Sequence, residues 1–419
     1  MKICVLGLGY IGLPTALLFA QKHEVTGVDI NIEVVEKINE GEIPFNEPGL
    51  EELFEKAKRN FVVETKIEEA DVYLIAVPTP LEKSTKIAEL GYVKSAAEMI
   101  YPHLKEKNLV ILESTVPPGT SERLVIPILK RSGLKKGEFY FAHCPERAIP
   151  GNTIYEMIYN DRIIGGFNKK SAALTKDLYS SFVRGNIYLT DLRTAEFVKL
   201  MENTYRDINI ALANEFAQIA EESGINVWNA IELANKHPRV NILKPGPGVG
   251  GHCIAIDPWF LTESSSRCRM ISLAREINAS MPNYVLQLVR ELLENVTEPT
   301  ITVFGVAYKS DVDDTRETPA LKFIKLAENE GYRLKIYDPY VKNFEYELLS
   351  LKEAVKNSDC LVIITDHSKF KGIDPEEISK LMRRKNVVDS RNILDKERWK
   401  KAGFKMKVLG EGRNNEGFK

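Results

Sequence analysis

The stretch Lys2–Ile30 reads KICVLGLGYIGLPTALLFAQKHEVTGVDI. Its apolar opening predicts a strand, Gly7-Leu8-Gly9-Tyr10-Ile11-Gly12 a tight turn, the next apolar run a helix, and Glu24–Val28 a second strand. In such a βαβ unit each glycine of G-x-G-x-x-G has its own task. Gly7 permits the turn, Gly9 lets backbone approach a pyrophosphate, and Gly12 allows close helix–strand packing, with the helix N-terminus attracting the phosphates. Asp29 ends the second strand 20 residues after Gly9, where a carboxylate accepts hydrogen bonds from ribose hydroxyls and disfavours a 2′-phosphate. The expected cofactor is therefore NAD rather than NADP.

Working outward, apolar runs at Val72–Val77 and Leu109–Leu112, with weaker ones at Phe139–Ala142 and Arg162–Gly165, alternate with helix-length amphipathic segments. Alternation of this kind predicts a parallel, doubly wound sheet. From about Leu192 the texture becomes helical, with Thr194–Ser223 and Ser264–Asn295 reading as long helices. Near Pro299 strand–helix alternation resumes through ITVFGVAY, RLKIYDP, DCLVIIT and VVDSRNIL. The expected α/β architecture is two Rossmann-like doubly wound domains, 1–190 and 298–419, joined by an all-helical region at 191–297. The stretch Leu81–Leu90 is the expected mobile loop of the first domain.

A chain of 419 residues, 44% hydrophobic and 28% charged, supports several packed cores and excludes a disordered or fibrous protein. Lys and Arg total 57 against 59 Asp and Glu, so no overall field draws in nucleic acid or an anionic membrane, and an anionic ligand must be met by local residues. The apolar start is interrupted by Gly7, Gly9, Gly12 and Pro14, too short a run for a membrane span and a poor leader peptide. Five widely spaced cysteines fit a reducing compartment, so the expected location is cytoplasmic. With no C-x-x-C pair and no zinc-like histidine spacing, no metal is expected.

In Pro245-Gly246-Pro247-Gly248-Val249-Gly250-Gly251-His252-Cys253 four glycines precede a cysteine, a setting that brings backbone close to a ligand and exposes the thiol; Asp257 follows four residues later. Cys4 and Cys360 lie in apolar strands and read as core, whereas Cys144 and Cys268 stay open. Lys199, Asn203 and Arg206 are spaced i, i+4, i+7 and fall within a helical arc of roughly 60°. That stripe is either solvated surface or one wall of a site. In the C-terminal region Lys309, Arg316 and Arg391 either converge on phosphates at strand ends or are unrelated surface charges.

Taken with GLGYIGLP, the motifs ESTVPPGT, FVKLMENTYRDINIALANE, GPGVGGHCIAIDP, FGVAYKSDVDDTRETPA and DSRN make the chain resemble, over nearly its whole length, the UDP-glucose/GDP-mannose dehydrogenase family of nucleotide-sugar 6-dehydrogenases. HCPERAIPGN and HPRVNILKPGPGVGGHC look like the branch acting on UDP-N-acetyl-D-mannosamine; the UDP-glucose branch usually has a second glutamate where this chain has Pro150. The resemblance implies oxidation of a sugar C6 alcohol to a carboxylate by two NAD in succession, for polysaccharide biosynthesis. In that chemistry Cys253 forms a thiohemiacetal and then a thioester, Lys199 and Asn203 stabilise the oxygen anions, and Lys199 is a candidate proton acceptor. Asp257 and Glu146 are implied to handle protons or water, with Thr115 and Thr79 beside the cofactor along with Tyr10 and Ile11. For Glu146 the alternative is a salt bridge, and for Thr115 a turn hydroxyl. Arg147, Arg206, Gly250, Tyr308, Lys309, Arg316 and Arg391 are implied to bind the nucleotide sugar, and His237 and Arg239 to complete the site of a second subunit in a homodimer. The same chemistry on UDP-N-acetylglucosamine or UDP-glucose, a two-electron hydroxyacid dehydrogenase and a non-catalytic nucleotide sensor are the rival readings.

Overall fold

A computed structural model describes residues 1–45, 47–82, 84–135 and 137–412. The first sheet contains β1 (Lys2–Leu6), β2 (Glu24–Val28), β3 (Phe61–Glu64), β4 (Val72–Ile75), β5 (Leu109–Leu112), β6 (Tyr140–His143), β7 (Arg162–Gly166) and β8 (Ile187–Asp191) in the order β3-β2-β1-β4-β5-β6-β7-β8. Its central strands are buried on both faces, as a parallel sheet covered by helices requires. The helix Gly12–Ala20 is buried along its whole length and packs Leu13, Ala16, Leu17 and Phe19 into one of the two cores. Pro14 is harmless in its first turn, where a backbone N–H has no intrahelical partner.

The expectation of an all-parallel sheet needs correction at one junction. β7 pairs antiparallel with β6 through Ala142↔Gly166 and His143↔Gly165, and β8 then runs parallel to β7. Gly165 and Gly166 make room there, because a Cβ on Gly165 would lie 2.7 Å from Ala195 Cβ and one on Gly166 2.7 Å from Ala172 Cβ. Leu81–Leu90, the stretch expected to be a mobile loop, makes several contacts among its described residues. Leu81 bridges Ala88, the Lys86 ammonium sits 4.0 Å over the Trp259 ring, and the Ala88 N–H donates to Glu263 at 3.0 Å.

The second sheet holds β9 (Thr300–Phe304), β10 (Arg333–Tyr337), β11 (Cys360–Ile363), β12 (Asn386–Asp389) and β13 (Lys405–Val408), parallel throughout in the order β10-β9-β11-β12-β13. In chain order, β8 and β9 are separated by the helices Leu192–Glu222, Val227–Ala234, Asp257–Ser264 and Arg269–Leu293. The chain divides into two compact units, one of Met1–Glu202 with Trp259–Ser266, the other of Asn203–Pro258 with the chain from Arg267 onward. In the second unit Ala213, Ala217, Val285 and Val289 share a core with Ile301, Val303 and Val362 of the sheet. The expected third segment runs to residue 419, and its last seven positions lie outside the described residues. No helix among the described residues is long and apolar enough to cross a membrane.

Candidate active site

The order of the first sheet reverses between β1 and β4, the position at which open α/β sheets bind ligands. Gly7 has φ +91° there, and a Cβ on it would stand 2.6 Å from the Ala76 carbonyl oxygen; a Cβ on Gly12 would run into the Gly7 carbonyl. Gly9 is different: a Cβ there meets nothing within 4 Å. Two glycines therefore shape the turn, and the second leaves open space over backbone where a diphosphate fits. Asp29 accepts the Leu8 N–H at 2.8 Å and the Asn31 N–H at 2.9 Å, which fixes its half-buried carboxylate at the rim. Tyr10, beside Ile11, stacks on Phe45 with ring centroids 4.2 Å apart. The Ser114 hydroxyl donates to the Val77 carbonyl at 2.7 Å, tying together the loops that carry buried Thr79 and half-buried Thr115. These residues fit NAD, with backbone amides for its phosphates and Asp29 for a ribose.

Deeper in the same unit lies a buried ionic cluster, in which Glu146 makes the salt bridge that was its alternative reading. Arg162, at the start of β7, places one guanidinium nitrogen 2.6 Å from Glu146 and another 3.6 Å from Glu113. Glu113 also accepts from the Thr15 hydroxyl at 3.1 Å and the Tyr179 hydroxyl at 2.9 Å. Burial raises its carboxyl to about 7, against the pull of Arg162. The other oxygen of Glu146 accepts the backbone N–H groups of Arg147 and Ala148 at 2.7 and 3.0 Å. Arg147 turns away to a bidentate pair with Glu202 at 2.6 and 3.0 Å. Cys144 is buried beside Arg162, and desolvation pushes its thiol up to about 12, so it is a packing residue at neutral pH.

The second unit holds the cysteine loop. Asn203, on the helix Leu192–Glu222, is fully buried, donates to Asp257 at 2.5 Å and accepts from Arg206. Lys199, one turn earlier on that helix and within the first unit, is only 7% exposed, and Arg206 is half-buried, so the stripe is not a solvated surface. The Asp257 N–H donates to the Cys253 carbonyl at 2.8 Å, and Cys253 itself is exposed. The loop ahead of it is stapled from the same helix: Asn209 accepts the Leu243 N–H at 2.9 Å and Asn214 the Gly246 N–H at 2.8 Å. Gly248 and Gly251 have φ of +125° and +84°, a left-handed backbone that side chains rarely tolerate. A Cβ on Gly250 would approach the Glu317 carbonyl to 2.7 Å, one on Gly251 the Tyr308 ring to 2.7 Å, and one on Gly246 the Arg391 guanidinium to 2.5 Å.

The structure thus brings Cys253, Asn203, Asp257 and Arg206 together, and lays the glycine loop on Tyr308 and Arg391. Arg391 pairs with Asp366 at 2.8 Å, and Arg316 with Asp314 at 2.6 Å while keeping 43% of its side chain exposed; Lys309 is half-buried. His237 and Arg239 sit on an exposed turn after Val227–Ala234, the Arg239 N–H donating to His237 Nδ1 at 3.3 Å. Among the described residues no cluster of His, Cys, Asp and Glu is arranged to hold a metal ion. Sequence reading missed Glu113, Arg162, Asn209 and Asn214; the available signal was a charge at either end of an apolar strand and two polar residues facing inward on a helix.

Comparison with known proteins agrees with this anatomy. Residues 1–183, 193–280 and 302–396 match the NAD binding, central and UDP binding domains of the UDP-glucose/GDP-mannose dehydrogenase family. A UDP-N-acetyl-D-mannosamine dehydrogenase from Methanococcus aeolicus is 52% identical, covering 99% of this chain and 96% of its own. The structure of the corresponding Pyrococcus horikoshii enzyme superposes with a TM-score of 0.93 at 44% identity, covering 98% of this chain and 99% of that one. An NDP-N-acetyl-D-galactosaminuronic acid dehydrogenase from Ralstonia solanacearum is 42% identical over 94% of this chain and 97% of its own.

The three glycines give a separable prediction. Gly9→Ala should melt within about 2 °C of wild type yet bind NAD at least about tenfold more weakly, while Gly12→Ala should lose both stability and binding. Thermal melts with NAD titrations check this, and unchanged NAD affinity in Gly9→Ala would defeat the assignment. Glu113 gives a second. A raised carboxyl pKa means the folded state holds the proton more tightly, so the linked stability is full below about pH 4 and is lost as pH rises through about 7. Glu113→Gln abolishes that dependence, so between pH 5 and 8 its unfolding free energy should rise relative to wild type by roughly 1–3 kcal/mol. Parallel pH profiles in urea denaturation would contradict it.

Proposed function

The chain belongs to the UDP-glucose/GDP-mannose dehydrogenase family, and on that premise we propose that it oxidises UDP-N-acetyl-D-mannosamine at C6 to UDP-N-acetyl-D-mannosaminuronate. The observation that carries the reading is the exposed Cys253, presented by a glycine loop next to the buried Asn203–Asp257 pair. A single alcohol-to-aldehyde oxidation has no use for a nucleophile there, whereas a thiol that captures the aldehyde gives a route on to the carboxylate. The full-length relatives named for UDP-N-acetyl-D-mannosamine support the choice of sugar.

Bound NAD supplies the hydride acceptor, used twice for each sugar. Cys253 Sγ captures C6 after the first oxidation as a thiohemiacetal, retains it through the second as a thioester, and is freed when water cleaves the acyl–sulfur bond. Each tetrahedral stage carries a developing oxygen anion, which the Lys199 ammonium and the Asn203 amide stabilise from successive turns of one buried helical face. Asn203 also fixes Asp257, and Lys199 and Asp257 carry the proton transfers, with Thr115 holding the water. The hydrogen bonds into Glu146 favour a holding role for it. Arg206, Lys309, Arg316 and Arg391 suit the diphosphate, Tyr308 and Gly250 the nucleotide, and Arg147 the sugar.

The working form we infer is a homodimer. On the helix Leu192–Glu222 the exposed Phe197, Met201, Tyr205, Leu212, Phe216 and Ile219 fall within an arc of about 100°, opposite the Lys199–Asn203–Arg206 face. An apolar stripe of that length suits a second copy of the helix, and His237 and Arg239 would complete the neighbouring site. All five cysteines are free, which suits the reducing cytoplasm.

Counting NADH per molecule of limiting UDP-N-acetyl-D-mannosamine in excess NAD tests the chemistry, with UDP-N-acetylglucosamine, UDP-N-acetylgalactosamine and UDP-glucose run alongside. Two NADH per sugar and clear preference for the mannosamine substrate are expected; Cys253→Ser should stop uronate production while NAD still binds. One NADH per sugar, or full acid production by Cys253→Ser, would sink the thioester route. The dimer is checked by light scattering: Leu212→Glu/Phe216→Glu should be monomeric and turn over at least about tenfold more slowly at unchanged NAD affinity. A wild-type monomer with full activity would rule the dimer out.

A further inference from the structure

The Glu113–Arg162–Glu146 cluster draws on three separate segments of the first unit: the residue after β5, the first residue of β7 and the loop after β6. Both carboxylates and the guanidinium are almost fully buried. A planar guanidinium can grip two carboxylates at once, whereas an ammonium offers a single point charge. One end of the fork grips Glu146 at 2.6 Å, and the other faces Glu113 at 3.6 Å, itself anchored by Thr15 and Tyr179. Thr15 belongs to the helix that opens with Gly12, and Glu113 directly precedes Ser114 and Thr115. On the other side Glu146 caps the N–H groups of the next two residues, so its grip sets the course of the turn from which Arg147 departs. Arg147 is held a second time at the same place, donating to the carbonyl of Asp161 at 2.6 Å, one residue before Arg162.

We propose that Arg162 is a positioning residue for the oxidation, acting through Glu146 to hold the Cys144–Ile149 turn so that Arg147 meets the sugar in one orientation. The inference rests on the nucleotide-sugar reading above. A buried ion pair that served stability alone would stabilise the whole unit, and its loss would disturb the dinucleotide loop as much as the sugar loop. A positioning role separates the two, because the Gly7–Gly12 turn is shaped by its own contacts with the Ala76 backbone and the Asp29 carboxylate.

The test uses full-length enzyme: wild type, Arg162→Lys, Glu146→Gln and the double variant, each measured for kcat and KM toward UDP-N-acetyl-D-mannosamine at saturating NAD and for NAD dissociation constant. Arg162→Lys keeps the charge and loses the fork. Its kcat/KM is expected to fall at least about tenfold with NAD affinity within about threefold, and the double variant to fall no more than about threefold below the worse single one. Multiplicative losses in the double variant would overturn the proposal, as would wild-type kinetics in Arg162→Lys or a parallel loss of NAD affinity. Should Arg162→Lys fail to fold, Glu146→Gln and Glu146→Ala decide. Glutamine accepts the same hydrogen bonds and is expected to retain at least about ten times the kcat/KM of alanine; equal losses would overturn the positioning role. A wild type that turns over none of the four UDP-sugars defeats the functional reading, and this inference with it, whereas the other outcomes remove only the role of Arg162.

Discussion

Polar side chains on the inner face of the helix Leu192–Glu222 must each find a partner, because an unpaired polar group in an interior costs as much as several good packing contacts recover. That requirement organises the second unit. Asn203 is satisfied by Asp257 and Arg206, Asn209 by the chain at Asn241 and Leu243, and Asn214 by Gly246 and Asn278. Asp207 pairs with Arg275 at 2.5 Å and accepts from Asn278 at 2.8 Å, with all three side chains buried. Apart from Arg206 on the same helix, these partners lie in the chain around Cys253, from Asn241 to Asp257, or on the helix Arg269–Leu293. The cysteine loop, with its left-handed glycines, has little regular structure of its own, and its course is set by the amides and carboxylates of one helix.

The two sheets close their glycine turns with the same device and use it differently. Asp29 follows β2 and Asp338 follows β10, and each carboxylate accepts backbone N–H groups from the turn after the first strand of its sheet. Asp338 takes Val306, Ala307, Tyr340 and Val341, and His367 Nε2 lies 3.0 Å away, leaving its side chain with no exposure. Asp29 has two amide partners and remains half-exposed. Gly305 is enclosed as Gly7 is, but two residues on, the second turn has the buried Ala307 where the first has Gly9, which opens to space. A ribose has an acceptor to find at the first turn, and the corresponding carboxylate of the second is already occupied. This matches a chain whose first sheet belongs to an NAD binding domain and whose second belongs to a UDP binding domain.

What could be read from sequence follows from burial. The interior strands β1, β4, β5 and β11 are continuous apolar runs and were legible, while β3, β8 and β13 were missed, and all three are edge strands. An edge strand exposes one or both faces, so its apolar signal is diluted to the level of a loop. The reversal at β7 was illegible for another reason: alternation of strands and helices fixes order but not direction when a short helix intervenes. At the site, the fingerprint glycines, Asp29 and Cys253 announced themselves by local pattern. The Lys199–Asn203–Arg206 stripe did not settle its own meaning, because a buried polar face and a solvated one share the same spacing. Glu113 and Arg162 had no signal in common, since nothing in sequence links two charges brought together only by strand order.

Burial also separates the five cysteines, and it bears on the chemistry. Cys4, Cys144 and Cys360 are buried, and desolvation pushes the first two thiols up to about 12 and the third higher still, which removes the thiolate at any physiological pH. Cys144 makes the point sharply. It lies 3.9 Å from the Arg162 guanidinium, a neighbour that ordinarily favours a thiolate, yet the loss of water outweighs that pull, and the two acidic groups of the cluster add to it. Proximity to a cation does not make a nucleophile of a thiol stripped of water. Cys253 has the opposite surroundings: an exposed thiol at the end of a loop stripped of side chains, one residue after His252 and a helical turn before Asp257. The glycines from Gly246 to Gly251 serve close packing instead: a Cβ on any of the four would stand within 3.1 Å of Arg391, Asn278, Glu317 or Tyr308, so the loop lies flat against its neighbours and Cys253 emerges from it exposed.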